Sequence, residues 1–401
     1  MKEANFKETE IGKIPVDWEV KTLGELGQVI IGLTYSPKDV TDYGTLVLRS
    51  SNIQNNVLAF ENNVFVNCEV PARVIVKEND ILICVRNGSK DLIGKCALID
   101  KKREGVAFGA FMSIFRSDYN LFLINAFRSN IIQKQIDENL GATINQITNK
   151  NLKSFQIPLP PLSEQEKIAE VLSDTDLWIE STEALLAKKR QIKKGAMQKL
   201  LSPKDDWEVR KLGEVAEYRR GSFPQPYGLE KWYDEHNGMP FVQVFDVAKN
   251  MKLKSTTKQR ISDLAKNYSV FVAKGNLVLT IQGSIGRIAL TQYDSYVDRT
   301  LLIFTNFKIP MDKVFFMYKV YELFQIEKIK APGGTIKTIT KEELSAFIFH
   351  FPKSLKTQQE IAEILTSMDL EIESLENRLQ KARQLKQGMM QDLLTGKVRL
   401  V

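Results

Sequence analysis

The chain repeats itself, and any fold it adopts must accommodate the repeat. "DWEVKTLGELGQVIIG" at residues 17–32 returns as "DWEVRKLGEVAEYRRG" at residues 206–221, with 8 of 16 positions identical. A longer match joins residues 165–204 to residues 358–397, offset by 193, with 22 identities in 40. "GATINQIT" at residues 141–148 likewise returns as "GGTIKTIT" at residues 333–340. Between these anchors the copies diverge until only fragments align. Self-similarity at a fixed offset marks a duplicated structural unit. Each unit here is a variable region followed by a well-matched tail.

Both tails read as long helices. In the first, the positions recurring at alternating threes and fours are Ile168, Leu172, Thr175, Ile179, Thr182, Leu186, Lys189, Lys193, Ala196 and Leu200. In the second they are Ile361, Leu365, Met368, Ile372, Leu375, Leu379, Ala382, Lys386, Met389 and Leu393. That spacing is a coiled-coil seam, more apolar in the second copy. Ser163 with Glu166, and Thr357 with Glu360, have capping-box spacing, and Pro203 and Gly396 mark the ends. A helix from Ser163 to Leu201 would span roughly 58 Å.

A lone helix of that length leaves its apolar stripe in water, so each tail needs a partner, and the nearest is the other copy. All seven acidic residues of the first tail lie between Glu164 and Glu183, and six of its seven basic ones between Lys188 and Lys199. The second tail repeats the trend, with Asp392 the exception. Antiparallel packing sets acidic halves against basic halves, whereas parallel packing sets like against like. The same gradient also complements each helix's own dipole. The matching Gly195 and Gly388 predict a close backbone approach in spite of their cost to a helix.

The expected organisation is a first globular domain at 1–160, a spacer helix at 161–203, a second globular domain at 204–352 and a second spacer helix at 353–401. The fold class is mixed α+β (α/β). "VIVKENDILICVR" and "VFVAKGNLVLTIQ" alternate as hairpins do, while "LFLINAFRSNIIQKQIDENL" and "DKVFFMYKVYELFQIEKIK" have helical periodicity.

No apolar run is long enough for a signal peptide or a membrane span. Cys68, Cys84 and Cys96 are widely spaced in apolar, strand-like surroundings and read as small buried hydrophobes. A cytoplasmic location is the expectation. The net charge of +7 permits a polyanionic partner, and its placement says more. Residues 1–160 carry 19 basic against 18 acidic side chains, whereas residues 204–352 carry 22 against 17.

Catalytic motifs are missed rather than met. "GSKDLIGKC" has one residue too many for a phosphate-binding loop and lacks the hydroxyl residue after its lysine. "DWEVK" lacks the acidic partner of a metal-dependent nuclease. No "NPPY" or "DPPY" marks an adenine methyltransferase, and two histidines, His236 and His350, do not form a metal cluster. The chain reads as a scaffold that carries recognition surfaces.

The doubled "DWEV..LGE" start, the "GxTI..IT" stretch, "IPLPPLSEQEKIAEVL" and the endings "KKGAMQKLL" and "KQGMMQDLLTGKVRL" together resemble the specificity (S) subunit of type I restriction-modification systems. The resemblance covers essentially the whole chain, although "FHFPKSLKTQQE" replaces "IPLPPLSEQE" in the second copy. It implies two target-recognition domains, each reading half of a split double-stranded DNA target, and an antiparallel coiled coil that spaces them. It also implies two modification subunits and, where cleavage accompanies the system, two restriction subunits. Those partners would use S-adenosylmethionine, ATP and Mg; this chain would be non-catalytic, with no cofactor or metal of its own. A coiled-coil adaptor with two protein-binding domains is the alternative, and a self-contained nuclease or methyltransferase is a third, disfavoured by the missing motifs.

Base edges are read by Arg, Lys, Asn, Gln, Ser and Thr, and phosphates by basic and hydroxyl groups. First-domain candidates are Thr34, Tyr35, Ser36 and Lys38, then Arg49, Ser51, Asn52 and Gln54, then Arg86, Asn87, Ser89 and Lys90. Second-domain candidates are Arg219, Arg220, Ser222, Gln225 and Tyr227, followed by Gln243, Gln282, Ser284 and Arg287. The "GxTI" loops add Thr143, Asn145, Thr335 and Lys337. Ordinary solvated loop polarity is the competing reading for each residue.

Overall fold

The computed structural model describes residues 5–140, 145–330 and 339–400. The chain divides into two compact units: residues 1–183 with 378–401 (unit 1), and residues 184–377 (unit 2). Two helices of 40 residues, α1 (Leu162–Leu201) and α2 (Leu355–Leu394), contribute half their length to each unit. At 1.5 Å per residue each is about 60 Å long.

Both helices start before the positions that the capping-box spacing indicates. In α1 the Pro161 carbonyl accepts the amides of Glu164 (2.9 Å) and Gln165 (3.0 Å), so Ser163 already lies inside the first turn. Proline suits such a start because it has no amide to leave unpaired. In α2, Ser354 is the capping residue, accepting the Thr357 amide on its Oγ at 3.4 Å. What the two starts share is a glutamine that reaches back. The side-chain amide of Gln165 donates to the Pro160 carbonyl (2.7 Å), and that of Gln358 to the Pro352 carbonyl (2.8 Å).

Packing along the seam is antiparallel, and the charges state the register. In unit 1, Asp176 pairs with Lys386 and Glu183 with Arg383. In unit 2, Lys193 pairs with Asp369, Arg190 with Glu376 (2.6 Å) and Lys189 with Glu371 (2.6 Å). Shifted by the repeat offset of 193, Asp176 becomes Asp369, Lys193 becomes Lys386, Glu183 becomes Glu376 and Arg190 becomes Arg383. Two ion pairs therefore occur once in each unit with their helices exchanged, as a twofold duplication requires. The twenty stripe positions from Ile168 to Leu200 and from Ile361 to Leu393 are all buried or half-buried, whereas Arg190, Glu371 and Arg383 at the margin are exposed.

Each unit carries two four-stranded sheets. In unit 1 the first runs Cys96–Leu98, Ile81–Cys84, Met112–Arg116, Gln28–Ile31; in unit 2 it runs Ile288–Leu290, Leu277–Thr280, Leu301–Phe307, Ala216–Arg220. These pairings are antiparallel in both units. The second sheet contains one parallel pair in each unit, Thr45–Leu48 with Ala107–Phe108 and Met239–Val242 with Ser295–Val297. The diverged regions therefore keep the order of the first sheet and one parallel pair in the second, at the sheet's edge in unit 1 and at its centre in unit 2. Cys84 and Cys96 are buried in the strands of unit 1, where burial pushes the Cys96 thiol up to about 11, and Cys68 is half-buried.

The repeated "DWEV" starts are strands. Glu19–Thr22 pairs antiparallel with Gln156–Leu159, and Trp207–Lys211 with Ile348–Pro352. Each start thus binds the strand that leads into its own unit's long helix. In unit 1 the junction is also latched from the far end of the sequence. Arg399 donates to both carboxylate oxygens of Asp17 (2.9 and 2.7 Å) and to both of Glu164 (2.8 Å each). Glu164, almost fully buried, also accepts the Trp18 indole N–H at 3.0 Å. The Arg399 guanidinium holds the Asp17 carboxyl below the usual carboxylate range. Thr357 replaces Glu164 in the second copy, where Trp207 packs edge-on against Phe315 instead.

Gly195 and Gly388 do not serve a close approach: a Cβ built on either meets no atom within 4 Å. Both are exposed helix-interior glycines that carry the full backbone-entropy cost. Gly195→Ala and Gly388→Ala are each expected to raise stability by about 1 kcal/mol. Thermal unfolding checks this, and an unchanged or lower midpoint contradicts it.

Candidate nucleic-acid interface

In unit 1 the loops singled out in the sequence gather where the two sheets meet. After strand Gln28–Ile31 the backbone crosses the strand Ala107–Phe108, with the Leu33 amide donating to the Phe108 carbonyl at 2.7 Å. A Cβ on Gly32 would lie 2.2 Å from the Gly109 oxygen, so only glycine permits the crossing. Beside it opens a groove of about 590 Å³, lined by Leu33, Thr34, Tyr35, Arg49, Ser50, Ser51, Gly109, Ala110, Phe111 and Met112. None of these lining residues is a carboxylate.

The groove wall is laced together by hydrogen bonds between loops. The Asn87 side-chain amide donates to Ser50 Oγ (3.1 Å), and the Asn87 backbone amide to the Asn145 carbonyl (3.2 Å). Asn145 Nδ2 donates to the Gly88 carbonyl at 3.0 Å, and the Ser89 amide to Asn87 Oδ1 at 3.1 Å. The Arg86 guanidinium lies over the exposed Phe111 ring, 5.1 Å from its centroid. Arg49, Arg86, Lys38 and Lys90 are exposed and have no carboxylate partner among the described residues. Ser36 caps the short turn that carries Lys38, and Ser51 Oγ is buried in the groove wall without a hydrogen-bond partner.

Asn52, expected to read bases, is framework. Its side chain is fully buried. Its Oδ1 accepts the Arg49 amide (3.0 Å), and its Nδ2 donates to the Ala59 carbonyl (2.9 Å) and Asn63 Oδ1 (3.2 Å). No polar atom remains for DNA. Gln54, two residues on, is exposed.

Unit 2 repeats four bonds of this frame. Ser222 N donates to the Val297 carbonyl (3.0 Å) as Leu33 N does to Phe108, and Asp298 N to Val242 (3.0 Å) as Gly109 N does to Leu48 (2.9 Å). The Gln243 amide donates to Asp246 Oδ2 (2.9 Å) as Arg49 does to Asn52. Ile281 N donates to the Thr300 carbonyl (3.0 Å) as Val85 N does to Phe111 (3.1 Å). A Cβ on Gly221 would lie 2.2 Å from the Val297 oxygen, matching Gly32.

Upon that frame the side chains differ. Phe223 packs against Phe241, Tyr227 and Tyr233, with centroids at 4.5, 5.0 and 5.4 Å. The Tyr227 hydroxyl donates to Asp298 (2.9 Å) and accepts the side-chain amide of Gln243 (2.6 Å). Burial, then the neighbouring Asp298 charge, holds that phenol far above its ordinary pKa. Tyr227 and Gln243 are thus tied to each other, although the tyrosine ring remains partly exposed beneath Arg299 at 5.8 Å. Arg287 is likewise a brace, its guanidinium donating to the Val247 carbonyl at 3.2 Å. Ser222 Oγ donates to the Tyr268 carbonyl. Arg219, Arg220, Gln225, Gln282 and Ser284 are exposed. Thr143, Thr335 and Lys337 lie outside the described residues.

Sequence reasoning missed three aromatic or cationic rim residues. Phe111 is 58% exposed, and Phe245 is 39% exposed with the ammoniums of Lys254 and Lys258 at 5.9 and 5.4 Å from its centroid. Arg299 is the third. Lone aromatics inside apolar runs read as core, and only their following a frame strand could have marked them.

Two outcomes test these assignments. Asn52→Ala should cost about 1–3 kcal/mol in chemical denaturation because it leaves buried backbone groups unpaired, whereas Gln54→Ala should stay within about 0.5 kcal/mol. Replacing Arg219 and Arg220 by alanine should flatten the dependence of log K on log salt by roughly 0.9 for each phosphate that is no longer neutralised. An unchanged slope removes that pair from the interface.

Among the described residues no group of three or more His, Cys, Asp or Glu side chains is placed to hold a metal ion. Nor is any described helix long and apolar enough to cross a membrane. The family model for the type I restriction modification DNA specificity domain matches the chain twice, at residues 15–190 and 204–384. Two Methanocaldococcus jannaschii chains named as type I restriction enzyme specificity subunits, MjaX and MjaVIII, are 29% identical over 439 residues and 27% identical over 438. Those alignments cover 100% of this chain and 98% and 97% of theirs. The fold is similar to that of the type-I restriction-modification system S subunit from M. genitalium, with a TM-score of 0.62 at 15% identity, covering 98% of this chain and 97% of that one.

Proposed function

Because the chain belongs to the type I restriction-modification DNA specificity family, we propose that its two units read the two halves of one split DNA target through the rims described above. The observation that carries this reading is the pairing of one backbone frame with two unlike rims. A duplicated frame presents loops to a duplex in the same way twice, while different side chains select different bases. The groove of unit 1, lined by Arg49 and by no carboxylate, is suited to a polyanion. The adaptor alternative is not favoured, since the family match spans both halves of the chain.

The chain is a recognition subunit without a catalytic centre of its own. Two modification subunits would dock on it and carry S-adenosylmethionine-dependent adenine methylation. Restriction subunits, where present, would add cleavage using ATP and Mg. A cytoplasmic location fits such an assembly. The continuous helices α1 and α2, each shared by both units, would fix the unread gap between the half-sites, on the scale of the roughly 34 Å turn of a duplex.

Base-modification sequencing of genomic DNA, with the chain and its methyltransferase partner present, should return a split methylated motif. An unsplit motif, or none, contradicts the reading, and modification by this chain alone contradicts its non-catalytic role. Lengthening both helices by about one turn should change the gap and leave both half-sites intact.

A further inference from the structure

The matching hydrogen bonds of the two frames align the units residue by residue where their sequences do not. Arg49 and Gln243 both stand at the N-cap of the short turn that follows the parallel strand pair. Arg86 and Gln282 both stand two residues past the central strands Ile81–Cys84 and Leu277–Thr280. Phe111 and Thr300 both offer the carbonyl that receives the amide between that strand and that residue. At these places the backbone is held constant and the chemistry changes.

Resting on the DNA-reading function just described, we propose that Arg49 and Arg86 read guanine in the half-site of unit 1, and that Gln282 reads adenine in the half-site of unit 2. Arginine forms a paired contact with the O6 and N7 of guanine, and glutamine with the N6 and N7 of adenine. The Arg86 guanidinium is free of carboxylates and pre-positioned by the Phe111 ring, so little ordering remains to be done on binding. Leu33, Ala110, Phe111 and Met112 give the groove beside Arg49 an apolar surface, and Arg86 lies over the Phe111 ring of that lining. Such a surface accommodates base edges and faces; phosphates are left to the outer cations Lys38 and Lys90. In unit 2 the position of Arg49 is silent, because the Gln243 amide is bound to Tyr227 and its carbonyl oxygen is buried. Gln282 is exposed and has no side-chain partner among the described residues.

The test compares the methylated motifs of the wild-type chain, R49Q, R86Q, R86K and Q282R, each with its methyltransferase partner. Where a variant no longer supports methylation, selection of bound duplexes from a randomised library supplies the same base preference. R86Q and R49Q should each lower discrimination for one guanine by roughly 5- to 150-fold, in the same half-site, and leave the other half-site unaltered. R86K keeps the charge without the paired geometry, so it should bind DNA yet lose discrimination at that base. Q282R should alter one base of the opposite half-site. If the unit 1 half-site contains no guanine, or survives both arginine replacements, the assignment is wrong while the split-target reading stands. If the folded wild-type chain yields no split motif, the underlying reading itself fails.

Discussion

The antiparallel, charge-matched seam of α1 and α2 is the constraint on which the rest depends. Its two least exposed pairs, Asp176 with Lys386 and Lys193 with Asp369, are half-buried, where mismatched charge would be costly. Burial holds the Lys386 ammonium below its ordinary pKa even with Asp176 beside it. Each of these aspartates is also gripped by its own globular region, Asp176 by Arg128 at 3.4 Å and Asp369 by the Tyr318 hydroxyl at 2.6 Å. The helix register and the placement of the globular region are therefore set at one residue in each unit, by different partners in the two copies.

A second division of labour runs through the globular regions. Residues such as Gly32, Asn52 and their counterparts Gly221 and Asp246 hold backbone in place and are consumed in doing so. Residues such as Arg49, Arg86 and Gln282 hang from that backbone and are bound to little else. Recognition chemistry can vary at the second kind of position because the first kind absorbs the structural demands.

The duplication, the long helices, their pairing direction and the mixed strand–helix character were legible because periodicity and charge gradients are local properties of a sequence. The start of α1 was misplaced because Pro161 and a back-reaching glutamine act where a hydroxyl residue was the familiar signal, and that of α2 because the capping hydroxyl is Ser354, three residues before Thr357. Gly195 and Gly388 invited a packing argument that needs a neighbour, and no neighbour is there. Asn52 and Gln54 are both polar residues in one loop, and only the tertiary contacts to Ala59 and Asn63 decide that one faces inward. Phe111 was invisible for the converse reason, since an apolar residue in a strand-rich stretch is ordinarily core.

The two units also differ in how the chain supplies them. Unit 2 is continuous from residue 184 to residue 377, whereas unit 1 needs the second half of α2 and the Arg399 latch to complete a structure begun at its N-terminal strands. During synthesis, then, the middle of the chain has every residue it requires before the beginning does. The usual order, in which the first domain made is the first to fold, is reversed by topology. Until residues 378–400 emerge, the first half of α1 lacks the helix that completes its seam, and Glu164 has Trp18 but not Arg399, so the first unit made is the last to be completed.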